Sequence, residues 1–239
     1  VALGTAVCDA GAFCGIGAAM KLALAGLVIL IIGDSHLAAK DFLLASLHND
    51  LEAQGASVQS YGVCGSSPRD WVVASTLPCG RGERHDTEDP VIEPGNAKVW
   101  SLEELIGRHR PDLLIVELGD NMGGYGVLPE LPRDWIGQQV RQLLVPIKAD
   151  RLPCLWVGPP WGTEGGASKK TFARVKELSH ELATVVAPCH YVDSLKFSEP
   201  GAWQTFDGEH LKPDSYQVWG DDITGAVVKF AAHLRHHHH

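Results

Sequence analysis

Three side chains of the right chemical types stand at the ends of the chain. Gly33-Asp34-Ser35-His36 places a hydroxyl directly after an apolar run, and Asp207-Gly208-Glu209-His210 places a carboxyl and an imidazole near the C-terminus. An alcohol is a poor nucleophile at neutral pH and needs an adjacent base. An imidazole, with an unperturbed pKa of ~6.5, can serve as that base. A carboxylate three residues upstream, in a turn, would fix the imidazole tautomer and stabilise its cation. Attack on a carbonyl then creates an oxyanion, and each donor aimed at it is typically worth ~3 kcal/mol. The candidate donors are the Ser35 N–H, the N–H of Gly65 in Gly62-Val63-Cys64-Gly65, and the side-chain amide of Asn121 in Gly119-Asp120-Asn121. A glycine at 65, lacking Cβ, would let the backbone approach a ligand. Taken singly, each motif also reads as a helix cap or a plain turn, and Asn121 as a left-handed turn residue. Their joint occurrence, in order, is what points to nucleophilic catalysis.

Something must hold these residues together. Five short apolar runs have the length of buried strands: Leu27–Ile32, Ser57–Tyr61, Asp112–Leu118, Cys154–Val157 and His190–Val192. Helical spacing fills the intervals at Leu37–Gln54, Ser101–His109, Arg133–Ile147, Ser168–Val186 and Asp214–Leu234. Ser101-Leu102-Glu103-Glu104 has the form of a capping box. Continuous rather than alternating apolar strands, separated by helices, indicate a parallel sheet covered on both faces. The expectation is a three-layer α/β/α sandwich with five parallel strands in flavodoxin-like order. Ligands of such sheets bind at the carboxyl ends of the strands, which is where all four motifs fall. A helix starting near Ser35 would add a positive dipole end there. Residues 78–98, rich in charge, Pro and Gly, read as a surface insertion. Residues 194–206, with Phe197, Trp203 and Phe206, read as a loop at the catalytic edge.

Four blocks in this order resemble the SGNH (GDSL-type) hydrolase superfamily. The resemblance covers residues 27–234 and implies the matching fold. It implies Ser35 as nucleophile, Asp207 and His210 as its partners, and Gly65 and Asn121 with the Ser35 N–H as oxyanion donors. Two positions depart from the pattern. His36 replaces the usual leucine, and Met122 replaces the acid that closes the third block. The implied activity is that of a serine esterase removing a small acyl group, acetyl above all, from a carbohydrate or cell-wall glycan through an acyl-enzyme. Alternatives on the same fold are an acyltransferase, a thioesterase or lipase, and a non-catalytic glycan-binding module. His36, Trp161 and Trp203 are candidate substrate contacts. For His36 the competing reading is solvent contact at a helix start, and for the two tryptophans it is loop anchoring. Trp71, Trp135, Trp156 and Trp219 read as packing.

Composition narrows the remaining choices. The chain has 239 residues, 45% apolar and 21% charged, which excludes a disordered or fibrous protein. A formal charge of −9 leaves no surplus of Lys and Arg for a nucleic-acid backbone. No histidine or cysteine pattern has metal-ligand spacing, and no dinucleotide fingerprint or Gly-x-Ser-x-Gly elbow occurs. Neither a metal nor an organic cofactor is expected; the partner is a small ester or acylated glycan. The apolar run Leu22–Ile32 is too short to span a bilayer, and its Leu27–Ile32 part reads as the first strand. Six cysteines can form the pairs Cys154/Cys189, Cys64/Cys79 and Cys8/Cys14, or remain thiols. Three bridges would place the protein in the periplasm or outside the cell; thiols would leave the cytoplasm open. Residues 1–20 form a leader of open role and 21–235 one domain. His236–His239 resemble a tag remnant.

Overall fold

A computed structural model describes residues 22–237. In chain order the elements are β1 (Val28–Gly33), α1 (Ser46–Ala53), β2 (Ser57–Val63), α2 (Asp70–Val73), β3 (Thr76–Leu77), β4 (Arg81–His85), β5 (Val91–Glu93) and β6 (Ala97–Lys98). They continue with α3 (Leu102–His109), β7 (Leu113–Glu117), α4 (Arg133–Ala149), β8 (Cys154–Val157), α5 (Phe172–Val185), β9 (His190–Val192) and α6 (Pro213–His237). The main sheet runs β5-β4-β2-β1-β7-β8-β9. Its last five strands are mutually parallel. Counted alone, they have the flavodoxin-like order that the alternation of apolar runs and helices requires.

Each central strand is apolar on both faces because both faces are covered. Leu30 and Ile32 of β1, Leu114 and Val116 of β7, and Trp156 of β8 enter one core with α3, α4 and α5. Ile29 and Ile31, Leu113 and Ile115, and Leu155 and Val157 enter the other with α1 and α6. The two-residue period of a strand thus divides one apolar run between two layers. Trp71, Trp156 and Trp219 are fully buried, as expected, but Trp135 is 40% exposed.

Residues 78–98 are more than a surface insertion. They supply β4 and β5, which extend the sheet antiparallel to β2, and they contribute β6 to a small two-stranded sheet with β3. The charges that suggested a loop lie mostly on β4, the strand next to the edge, where Arg81 pairs with Glu93 of β5 and Arg84 with Glu52 of α1. The helix expected over Leu37–Gln54 is also shorter. Asp34 Oδ1 accepts the His36 N–H at 3.0 Å, a local bond that competes with helical pairing. A single 3-10 turn, Ser35–Leu37, results, and α1 starts only at Ser46. No α-helix dipole therefore begins at Ser35. Ser101 occupies the N-cap of α3 but its side chain makes no capping bond. Thr171 does cap α5, accepting from Arg174 N.

Two disulfides form. Cys154–Cys189 joins neighbouring parallel strands at a Cα separation of 4.7 Å, and Cys64–Cys79 ties the loop after β2 to the start of β4 at 5.4 Å. The proposed Cys8/Cys14 pair and the leader lie outside the described residues. Among those described, no helix is long and apolar enough to cross a membrane.

Cys154–Cys189 closes the longer loop, 35 residues against 15 for Cys64–Cys79. Loop-closure entropy then assigns it about 4 kcal/mol and the shorter one about 3 kcal/mol. Urea unfolding of the Cys154→Ala/Cys189→Ala and Cys64→Ala/Cys79→Ala variants should show the larger loss in the first.

Candidate active site

Parallel strands end on one edge, and the loops leaving that edge carry the motifs. Ser35 follows β1, Gly65 follows β2 and Asn121 follows β7. Asp207 and His210 lie on the turn that precedes α6. That turn is built from its own backbone: Phe206 N donates to His210 O at 2.8 Å. Gly208 N donates to Thr205 Oγ1 at 3.0 Å. Gly208 has φ +100, a left-handed conformation that glycine adopts without strain. The segment before α5 holds the turn from outside, with Ser168 N donating to Asp207 O and Thr163 N to Gly208 O.

This scaffold brings the three catalytic candidates into one hydrogen-bonded line. Ser35 Oγ lies 2.8 Å from His210 Nε2. On the other side of the ring, His210 Nδ1 lies 2.7 Å from Asp207 Oδ2. Oδ1 of Asp207 accepts from the backbone N–H groups of Glu209 and His210 at 3.0 and 2.8 Å. Burial pushes the Asp207 pKa up, but the His210 ring and those N–H donors outweigh it, and the carboxyl is held below the usual range. An ionised Asp207 can only accept, so it fixes the proton on Nδ1 and leaves Nε2 to take the Ser35 proton.

Asn121 ties the donor loops together. Its Nδ2 donates to Ser66 O at 3.0 Å and reaches Asp34 Oδ2 at 3.4 Å. One amide thus links the segments on either side of the nucleophile. Gly65 is exposed and has φ +81. A Cβ there would meet only Cys79 Sγ, at 3.5 Å. Its glycine is required by backbone conformation rather than by crowding.

The substrate contacts proposed from sequence fare differently. His36 is wholly buried, so it neither lines a pocket nor meets solvent. Trp203 is 9% exposed and sits in the α1/α6 core. Trp161 spends its indole N–H on Leu195 O and Ser198 O, which anchors two loops to each other.

Beneath the triad lies a charged set that motif reading missed. His36 Nε2 faces Asp120 Oδ2 at 2.9 Å, and its Nδ1 faces the Tyr216 hydroxyl at 2.6 Å. Lys170 Nζ is 2.8 Å from both Asp120 oxygens, and Tyr125 donates its hydroxyl proton to Oδ1 at 2.6 Å. Burial alone would raise the Asp120 pKa; the Lys170 charge and the His36 contact reverse it and hold the carboxyl well below the usual range. Both departures from the hydrolase pattern meet here. His36 finds its partner in Asp120, and Met122, in place of an acid, fills the adjoining core. Asp34 and Glu117 form a second buried pair. Burial first, then the Asp34 charge, raises Glu117 well above the ordinary range. Glu209 Oε1 is 4.0 Å from His210 Nε2. Burial, with the nearby charge of Asp120, pushes it up to about 8. The signal available in sequence was Asp120 itself, an acid beside Asn121 at a strand end, and Lys170 needed the fold to reach it.

No family model matches the chain. Protein BcsX of Komagataeibacter xylinus is 41% identical over 213 residues, covering 87% of this chain and 79% of that protein. The chain belongs to the BcsX family. Among solved structures, an acetylxylan esterase of Geobacillus stearothermophilus superposes with a TM-score of 0.55 at 17% identity, over 87% of this chain and 96% of that one. A GDSL-like lipase of Bacteroides thetaiotaomicron gives 0.54 at 11%, over 84% and 88%. TesA gives 0.56 at 14%, over 85% and 99%. The fold of this BcsX-family chain is therefore the SGNH hydrolase fold.

Two stability measurements follow from the buried charges. Lys170→Met leaves Asp120 without its cation and should cost about 3–5 kcal/mol in urea unfolding. Glu117 behaves oppositely. Its raised pKa means that the folded state holds a proton the unfolded chain releases, so this residue lowers stability progressively as pH rises above the unfolded value. Glu117→Gln, which cannot ionise, should gain on the wild type between pH 5 and pH 8.

Proposed function

We propose that this protein is a serine esterase that removes a small acyl group, acetyl in the first instance, from a carbohydrate. The observation that carries this reading is the unbroken line Ser35 Oγ, His210 Nε2, His210 Nδ1, Asp207 Oδ2, with contacts of 2.8 and 2.7 Å at its two ends. His210 takes the Ser35 proton as Oγ attacks the ester carbonyl. The tetrahedral oxyanion points at the Ser35 N–H, the Gly65 N–H and the Asn121 amide, which gives up its long 3.4 Å contact with Asp34 Oδ2 to receive it. Collapse breaks the ester bond, and His210 gives the proton to the departing sugar oxygen. Water, deprotonated by the same imidazole, then releases the acid from the acyl-enzyme and returns the proton to Ser35.

The choice of acetyl and of a carbohydrate is supported by the architecture shared with acetylxylan esterases. The charge of −9 fits a neutral substrate better than a polyanion. The two disulfides support a periplasmic or extracellular setting. Residues 22–235 act as one catalytic domain in this reading.

Ser35→Ala should lower kcat/KM on p-nitrophenyl acetate by about three orders of magnitude or more with an unchanged melting temperature. Wild-type turnover should also fall on acidification, as His210 takes a proton before Ser35 can offer one. Undiminished hydrolysis by the alanine variant would overturn the assignment.

A further inference from the structure

An aromatic ladder runs from the core to the rim beside the triad. Tyr216, buried and bonded to His36, lies under Phe42, with ring centroids 4.3 Å apart and planes 22° apart. Phe42 in turn lies near-parallel to His210 at 6.1 Å and 27°. It also lies near-parallel to Phe206 at 6.4 Å and 21°. Phe206 ends the series, and it is 62% exposed. The ring next to the triad acid is thus held by a stack on one side and left to solvent on the other.

Where that ring stands relative to the reacting ester follows from the proton path. The oxyanion turns toward the Ser35 N–H, Gly65 and Asn121, on the loops after β1, β2 and β7. The departing oxygen must lie within reach of His210 Nε2, because that nitrogen protonates it. Phe206 belongs to the His210 turn and bonds its backbone. It therefore flanks the alcohol rather than the acyl group. An exposed phenylalanine carries apolar area whose removal from water is favourable, at roughly 25 cal/mol per Å². A pyranose offers a flat C–H face of matching size, and the exposed Lys40 and Asp41, next to Phe42 in the chain, offer its hydroxyls a donor and an acceptor.

We propose that Phe206, braced by Phe42, is the platform on which the sugar ring bearing the ester stacks. This rests on the esterase reading for the identity of the departing group. It replaces Trp161 and Trp203 as the aromatic contact with substrate, since Trp203 is buried in the core and Trp161 spends its indole N–H on two loop carbonyls.

The test separates binding from turnover. In a Ser35→Ala background, calorimetry with acetylated xylotetraose should show Kd rising about tenfold on Phe206→Ala and staying within about twofold on Phe206→Trp. In the active enzyme, Phe206→Ala should lower the ratio of kcat/KM on the oligosaccharide to that on ethyl acetate, whose small alcohol has no ring to stack, by a similar factor, through KM. Equal affinity of the alanine variant, or no binding by the parent, would overturn the platform. So would a change in preference along p-nitrophenyl acetate, butyrate and hexanoate, which would make Phe206 an acyl wall. The calorimetric arm needs no hydrolysis, so a parent protein inert toward every ester would refute the esterase reading while the binding result still judges Phe206.

Discussion

The distance of 2.8 Å between Ser35 Oγ and His210 Nε2 is the contact on which the rest depends, and a parallel sheet is what produces it. Parallel strands all release their chain on one edge. Ser35, Gly65 and Asn121 each lie two to four residues past the end of a buried strand. The fourth segment reaches the same edge because it continues from β9, the last parallel strand, and carries Asp207 and His210 before α6 begins. The two cores set the angles of these loops, through Leu30 and Ile32 on one face and Ile29 and Ile31 on the other.

Close behind this contact, the protein buries charge. Asp34, His36, Glu117, Asp120 and Lys170 are all essentially inaccessible. Isolated, any one ion among them would cost several kcal/mol. They are tolerated because each is answered. Asp120 receives Lys170, His36 and Tyr125, and Glu117 keeps its proton beside Asp34. Both departures from the hydrolase pattern lie at this buried set: His36 meets Asp120, and Met122 packs in the adjoining core. Glu209, at the boundary between this set and the Ser35–His210–Asp207 line, brings a second carboxyl within 4.0 Å of the His210 imidazole.

Legibility in the sequence followed the strength of the physical signal. The five parallel strands were readable because burial on both faces leaves an unbroken apolar run, and two of them, Cys154–Val157 and His190–Val192, were placed to the residue. The disulfide between their starts follows from strand adjacency. β4 and β5 were misread as an insertion, since β4 is rich in charged residues and β5 is a short exposed edge strand, so neither has that signature. The helix over Leu37–Gln54 was too long because the apolar positions persist through the turns after His36, with Leu37, Leu43, Leu44, Leu47 and Leu51 all buried. Spacing reports which residues go inside, not how the backbone gets them there.

The residues of the triad and their order are properties of the chain, because the types Ser, Asp and His and their place after each strand are written locally. Which aromatic meets solvent is not. Trp203 and Phe206 stand three positions apart on one loop, yet the first is buried and the second open. Nor could spacing pair Lys170 with Asp120 or turn His36 inward toward Tyr216. Those outcomes depend on which surfaces the folded layers cover, and coverage is a property of three-dimensional packing between segments distant in sequence.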